Sequence, residues 1–150
     1  MKKILFVLSA LFMMKTIGVA QNPVSWLFSS KKISDQVYEI QMVANIQSGW
    51  HLYAQSQPKD AIAQPIIFKF NPNPLVALNG KVKEIGKLEK YKDDVLDVSA
   101  NQYSNKVTFT QLVKLKGKAK TTVSGKLEFQ TCDDKKCLPP KSVPFTIALK

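Results

Sequence analysis

The chain has 150 residues and a formal net charge of +11, with 22 lysines, no arginine, 11 acidic residues and two cysteines. Nucleic-acid readers rely on the planar arginine fork for bidentate base contacts, so an arginine-free basic chain is not read as a nucleic-acid binder. The lysines read instead as a solvated surface that blunts strand edges and keeps the protein soluble.

Met1–Ala20 has the pattern of a secretory signal. Lys2 and Lys3 form a basic start, Ile4–Met14 is an apolar run too short to span a bilayer, and Gly18-Val19-Ala20 supplies small residues for cleavage before Gln21. Export to an oxidising compartment suits the two cysteines. The remaining residues, 21–150, form one domain's worth of chain. They carry 19 lysines against 11 acids, a net +8. None of their segments stays apolar for the roughly 18 residues that a membrane helix needs, so no membrane span is expected in the mature chain.

From Pro23 onward the pattern is one of strands and turns. Val24, Trp26 and Phe28 alternate within Pro23–Lys31. Val37–Ile46 is the clearest strand, with Tyr38, Ile40, Met42, Ala44 and Ile46 on one face. Gln47-Ser48-Gly49 reads as a turn into a third strand starting at Trp50. After a loop over 55–64, Ile66, Phe68 and Phe70 alternate up to Asn71-Pro72-Asn73-Pro74. Lys81–Asp97 reads equally as helix or strand: Val82, Ile85, Leu88 and Val95 fit a helical stripe, and Gly86 argues against it. Lys106–Lys116 is a strand in which Gln111 interrupts the apolar series Val107, Phe109, Val113 and Leu115. Roughly eight short strands, with prolines scattered among them, predict an all-β antiparallel sandwich.

The chemistry concentrates in Phe129–Lys141, which holds Cys132 and Cys137. An alternating segment with Val123, Leu127 and Phe129 leads in, and one with Val143, Phe145 and Ile147 leads out. Asp133-Asp134-Lys135-Lys136 between the cysteines is polar and turn-prone, so the stretch predicts a β-hairpin with a cysteine on each side of its tip. Opposed residues of an antiparallel pair lie roughly 4.5–5.5 Å apart at Cα, within disulfide reach. Closing so short a loop stabilises by only about 2 kcal/mol in the chain-entropy view. A short, tip-mounted and openly accessible pair therefore suits exchange with another protein's thiols, although a local structural clip and a soft-metal site remain open on spacing alone. In the clip reading the protein is an exported interaction module. In the metal reading Cys132, Cys137 and His51, the one histidine, could hold Cu(I) but fall short of the four ligands of structural zinc. His51 among aromatic neighbours otherwise reads as a packing or hydrogen-bonding residue.

Thr131-Cys-Asp-Asp-Lys-Lys-Cys-Leu-Pro-Pro140 resembles the active-site hairpin of the periplasmic N-terminal domain of the thiol:disulfide interchange protein DsbD, and Gly49-Trp-His-Leu-Tyr53 resembles that family's aromatic motif. The resemblance covers about Pro23 to Lys150. It implies an immunoglobulin-like sandwich with a redox-active Cys132–Cys137 pair and no cofactor or metal. It also implies thioredoxin-like redox partners, and a membrane electron-transfer protein acting in trans. The resemblance also implies a strand in the Lys81–Asp97 region, followed by a loop that covers the cysteine pair; here the candidate cover is Glu89–Tyr103, with Tyr91 or Leu96 as the shielding side chain. The resemblance also places His51 and Tyr53 near the cysteines, histidine standing at 51 where the family often has tyrosine. Lys136 beside Cys137 favours that thiolate and Asp133 beside Cys132 disfavours the other. Both the charges and the resemblance nominate Cys137 as the sulfur that meets partners and Cys132 as its resolver. The expected protein is a periplasmic monomer that relays thiol:disulfide exchange.

Overall fold

The computed structural model describes residues 22–150. The expected signal segment Met1–Ala20, with cleavage before Gln21, lies outside the described residues. Those residues form eleven strands and no helix, so the helical option over Lys81–Asp97 is not realised. The strands are β1 (Val24–Ser34), β2 (Val37–Ile46), β3 (His51–Tyr53), β4 (Ile67–Phe70), β5 (Val76–Gly86) and β6 (Glu89–Asp93). They continue with β7 (Val98–Tyr103), β8 (Lys106–Leu115), β9 (Thr122–Phe129), β10 (Thr131–Cys132) and β11 (Lys141–Ala148). Three antiparallel sheets result, ordered β1-β2-β8-β5, β11-β9-β4 and β10-β3-β7-β6.

The first two sheets make the sandwich. Strand β2 follows its period-2 pattern: Tyr38, Ile40, Met42, Ala44 and Ile46 are buried, and each alternate residue is half-exposed. A strand with one face on the core must alternate in this way. Phe109 of β8, Ile40 and Met42 form the centre of the core with Leu127 of β9. Aromatic rings join the layers: Trp26 meets Phe129 edge-on at 5.5 Å between centroids, and Phe68 meets Phe109 at 5.0 Å. Offset and edge-on ring pairs of this kind add about 0.5–1.5 kcal/mol each beyond the area they bury.

Gln111 points inward but is satisfied. Its Nε2 donates to the carbonyls of Asn79 and Gly80, at 3.0 and 3.3 Å, where β5 slips register against β8. The polar interruption in β8 thus marks the bulge of its neighbour. Segment 81–97 is extended because β5 runs along β8 through Lys83↔Thr110, Glu84↔Phe109 and Ile85↔Thr108. Of the helical stripe only Val82 packs on the core; Ile85, Leu88 and Val95 are exposed.

The third sheet closes the end of the sandwich that carries the cysteines. The turn from β2 into β3 depends on Gly49, whose φ of 79° lies in the left-handed region open to glycine. It brings Trp50 inward and sends His51–Tyr53 alongside β7 and β10.

Candidate functional site

Strands β9 and β11 pair along their whole length, from Thr122↔Ala148 to Phe129↔Lys141. The chain between them does not continue this hairpin. After Gln130 it crosses to the third sheet, where Thr131 pairs with Leu52 and Cys132 with His51. It then turns back through Cys137, and Leu138 N–H donates to Thr131 O at 2.9 Å. Gln130 holds this crossing, accepting from Gln64 N–H at 3.0 Å and donating to Leu138 O at 3.2 Å.

The cysteines face each other as an isolated bridge pair and are joined in a disulfide, with 4.0 Å between their Cα atoms. Between them Asp133–Lys136 is a tight turn, closed by Asp133 N–H to Lys136 O at 2.9 Å. The Asp133 carboxylate accepts from the N–H groups of Lys135 and Lys136, at 2.8 and 2.7 Å, an arrangement that short acidic side chains favour. These two bonds, the first the larger, hold its carboxyl below the usual range. A carboxyl so lowered keeps its clamp throughout the ordinary carboxylate range and gives it up only as pH falls through the lowered value. Asp133 thus holds the turn through its ionised carboxylate.

The two sulfurs differ in access. Cys132 is 3% exposed, packed with Tyr53 and Ala100, whereas Cys137 is exposed. The expectation of an openly accessible pair is therefore corrected: one cysteine is accessible. Lys136 lies beside Cys137 with its Nζ 5.9 Å from the centroid of the buried Trp50 ring. The Leu138-Pro139-Pro140 segment follows, with both prolines exposed.

Segment Glu89–Tyr103 is a β-hairpin, β6–β7, whose turn spans 94–97. With the cysteine turn it borders a cleft of about 760 Å³. Tyr53, Tyr91, Leu96 and His51 all line this cleft together with Cys132 and Cys137. Neither Tyr91 nor Leu96 buries Cys137. Leu96 is 68% exposed and the neighbouring Val95 is 93% exposed. Tyr91 Oη instead donates to Asp93 at 3.3 Å, and the Asp93 carboxylate accepts from Val95 and Leu96 N–H, fixing the turn. Burial, then Tyr91, pushes the Tyr53 hydroxyl up, so it stays neutral. The hairpin is also structural: Tyr103 is buried and its hydroxyl donates to Glu84 at 2.7 Å. Removing all of Glu89–Tyr103 would take out a core residue, so only the turn is separable from the fold.

Two site partners were not legible in the sequence. Ser104 meets His51 and Glu89 meets Ser104: Ser104 Oγ lies 3.0 Å from His51 Nδ1 and donates to Glu89 Oε2 at 2.8 Å. No motif announces either residue. Ile62 and Ala63, from the loop before β4, also reach the cleft.

The disulfide closes a short loop, and the turn is independently held by the Leu138–Thr131 bond, by Gln130 and by the pairing of β10 with β3. The Cys132→Ser, Cys137→Ser double variant is therefore expected to remain folded at room temperature, losing about 2 kcal/mol. Thermal unfolding checks this, and global unfolding at room temperature would favour a structural clip.

An immunoglobulin-like sandwich that carries a short disulfide in a side turn, one sulfur exposed and the other packed beside it, has the parts that thiol:disulfide exchange needs: a sulfur open to attack and a neighbouring one to take the electron pair. The chain belongs to the family described as thiol:disulfide interchange protein DsbD, N-terminal, whose sequence profile matches residues 23–148. Among solved structures it is similar to the N-terminal domain of DsbD from Neisseria meningitidis in its reduced form, at 17% identity and a TM-score of 0.50, covering 82% of this chain and 84% of that one. It is also similar to the N-terminal periplasmic domain of ScsB from Proteus mirabilis, at 12% identity and a TM-score of 0.55, covering 82% of this chain and 44% of that one. At these identities the likeness is one of fold. No curated protein matches the chain at a significant level.

Proposed function

We propose that this protein is an exported, periplasmic relay that passes reducing equivalents between a thioredoxin-like donor and oxidised proteins through the Cys132/Cys137 pair. The observation that carries this reading is the unequal burial of the two sulfurs in one short disulfide. A donor thiolate attacks the exposed Cys137 Sγ. The Cys137–Cys132 bond breaks, its electron pair leaves on Cys132 Sγ, and a mixed disulfide joins Cys137 to the donor. The donor's second thiolate then attacks its own sulfur in that mixed disulfide, releasing Cys137 as a thiolate and leaving the donor oxidised. The reduced pair hands its two electrons to an oxidised protein by the same two displacements in reverse.

The family membership, the basic and apolar start of the sequence and the Gly18-Val19-Ala20 site support export, with residues 21–150 as the mature chain. Among the described residues no helix is long and apolar enough to cross a membrane. In this reading a membrane electron-transfer protein acting in trans delivers the electrons, and the domain works as a monomer, with its exposed sulfur open to one partner at a time. Cys132 and Cys137 are the reacting residues. Tyr53, Tyr91 and Leu96 shape their cleft, Asp133 holds the turn, and Lys136 favours a thiolate at Cys137.

The test uses protein recovered from the periplasm, whose intact mass reads whether Met1–Ala20 has been removed. Reduction of its disulfide by a reduced thioredoxin-like protein is expected to be at least about tenfold faster, per thiolate, than reduction by a small dithiol. A disulfide equally slow with both reductants would overturn the relay.

A further inference from the structure

His51 is the one histidine of the chain, and its ring sits between Asp134 and Ser104, the latter bonded in turn to Glu89. On one side, Nδ1 is 3.0 Å from Ser104 Oγ, and that hydroxyl donates its single proton to Glu89 Oε2 at 2.8 Å. On the other side, Nε2 is 3.5 Å from Asp134 Oδ1, in the turn between the cysteines. A carboxylate only accepts, and a hydroxyl that has given its proton to one partner can only accept from another. Ser104 Oγ must therefore accept from Nδ1–H, and Asp134 must accept from Nε2–H. Both contacts are satisfied only when both ring nitrogens carry protons. A neutral ring has one N–H and must give up one link. The Ser104 link is shorter, and it lies on the less exposed side; the Asp134 side chain is 88% exposed against 21% for His51, so water readily replaces it.

We propose that His51 is a positioning residue for the exchange reaction: with both nitrogens protonated it ties the cysteine turn to β3 through Asp134, and it releases the turn on losing a proton. The inference rests on the relay reading for its purpose, but not for its test. The register strengthens it, because His51 lies directly opposite Cys132, so the tether spans the base of the same turn that carries Cys137. The other ionisable groups around the cleft are otherwise engaged. Asp133 holds the Lys135 and Lys136 N–H groups, Tyr91 and Asp93 pair with each other, and Lys136 lies over Trp50. The ring of Tyr53 contributes a neutral hydroxyl, and the Lys135 ammonium extends from the exposed turn, where solvent screens it. Histidine is the side chain that ordinarily changes charge within the range about pH 5 to 8.

The test follows the oxidised protein by nitrogen-15 NMR from about pH 5 to pH 8, the range over which imidazoles titrate. The amide signals of residues 133–136 are expected to move together with the His51 ring signals, and this linked movement is expected to vanish in Asp134→Asn and in His51→Gln. In parallel, the rate at which glutathione reduces the disulfide, expressed per thiolate, is expected to rise about threefold as the turn is released, the scale of an exposed ion pair, and to be flat in His51→Gln. Ring titration without movement at 133–136, linked movement that survives Asp134→Asn, or a wild-type rate that is already flat would each overturn the proposal. Failure of reduced thioredoxin-like proteins to exchange, with the linked movement and the glutathione rates as expected, would remove the relay reading and leave the proton-linked turn standing.

Discussion

A Cys132→Ser variant is expected to accumulate a covalent complex with a thioredoxin-like partner through Cys137, and Cys137→Ser is expected to accumulate an order of magnitude less or lower still, because exchange follows access and thiolate character. Thiolate attack on a disulfide runs along the sulfur–sulfur line, so the attacked sulfur must be open on the side away from its partner. Cys137 closes an exposed turn and meets solvent there. Cys132 has its backbone paired to His51 and its side chain packed with Tyr53 and Ala100, so the matching approach to it runs through the sheet. The Lys136 ammonium beside Cys137 acts in the same direction, weakened by solvent at this exposed position. The rigid Leu138-Pro139-Pro140 edge next to the exposed sulfur gives the partner a surface that does not have to be ordered on binding. The measurement is non-reducing electrophoresis and mass spectrometry of periplasmic extracts from the two variants. Equal trapping by both would refute the asymmetry. Trapping by neither, with a disulfide inert to reduced thioredoxin-like protein, would leave an interaction module whose disulfide is a clip.

A large loss of stability is expected from a β-branched side chain at Gly125, far from the cysteines. It lies in the central strand of its sheet, with Phe70 opposite on β4 and Phe145 opposite on β11. Those two rings meet edge-on at 5.5 Å. A Cβ at 125 would collide with the Lys69 carbonyl oxygen and lie 2.9 Å from Phe145 Cζ and 3.0 Å from Phe70 Cα. Two of these three obstacles are backbone atoms of β4, so relief requires moving a strand. Overpacking of this kind is destabilising by about 1–3 kcal/mol, and Gly125→Val belongs at the upper end or beyond. For a domain of this size the melting temperature should fall on the order of 10 °C. Disulfide reduction below the melting point should be unchanged, because the cysteine turn belongs to a different sheet. A melting temperature within a degree or so of wild type would show that β4 is free to shift.

Much of this protein was legible in its sequence because strand alternation is a local code. Each residue's side of the sheet follows from its position in the period of two, so Val37–Ile46, the strand leading to Leu115 and the pair flanking the cysteines declared their buried faces directly. The Asp-Asp-Lys-Lys turn was local in the same sense, and the Cys-to-Pro-Pro and Gly-Trp-His-Leu-Tyr motifs pointed to the family that the matched profile shows. What tertiary structure alone decided was pairing across distance. Residues 81–97 could follow either period until β8 offered β5 an open edge of backbone donors and acceptors. The inward Gln111 needed the slipped register of β5 to find its acceptors. Above all, Thr131 and Cys132 leave their own hairpin for β3, some eighty residues earlier, and that crossing buries one sulfur while leaving the other exposed. Two cysteines five positions apart look equivalent as a sequence. Their difference arises from hydrogen bonds to a distant strand, which no short stretch of chain encodes by itself.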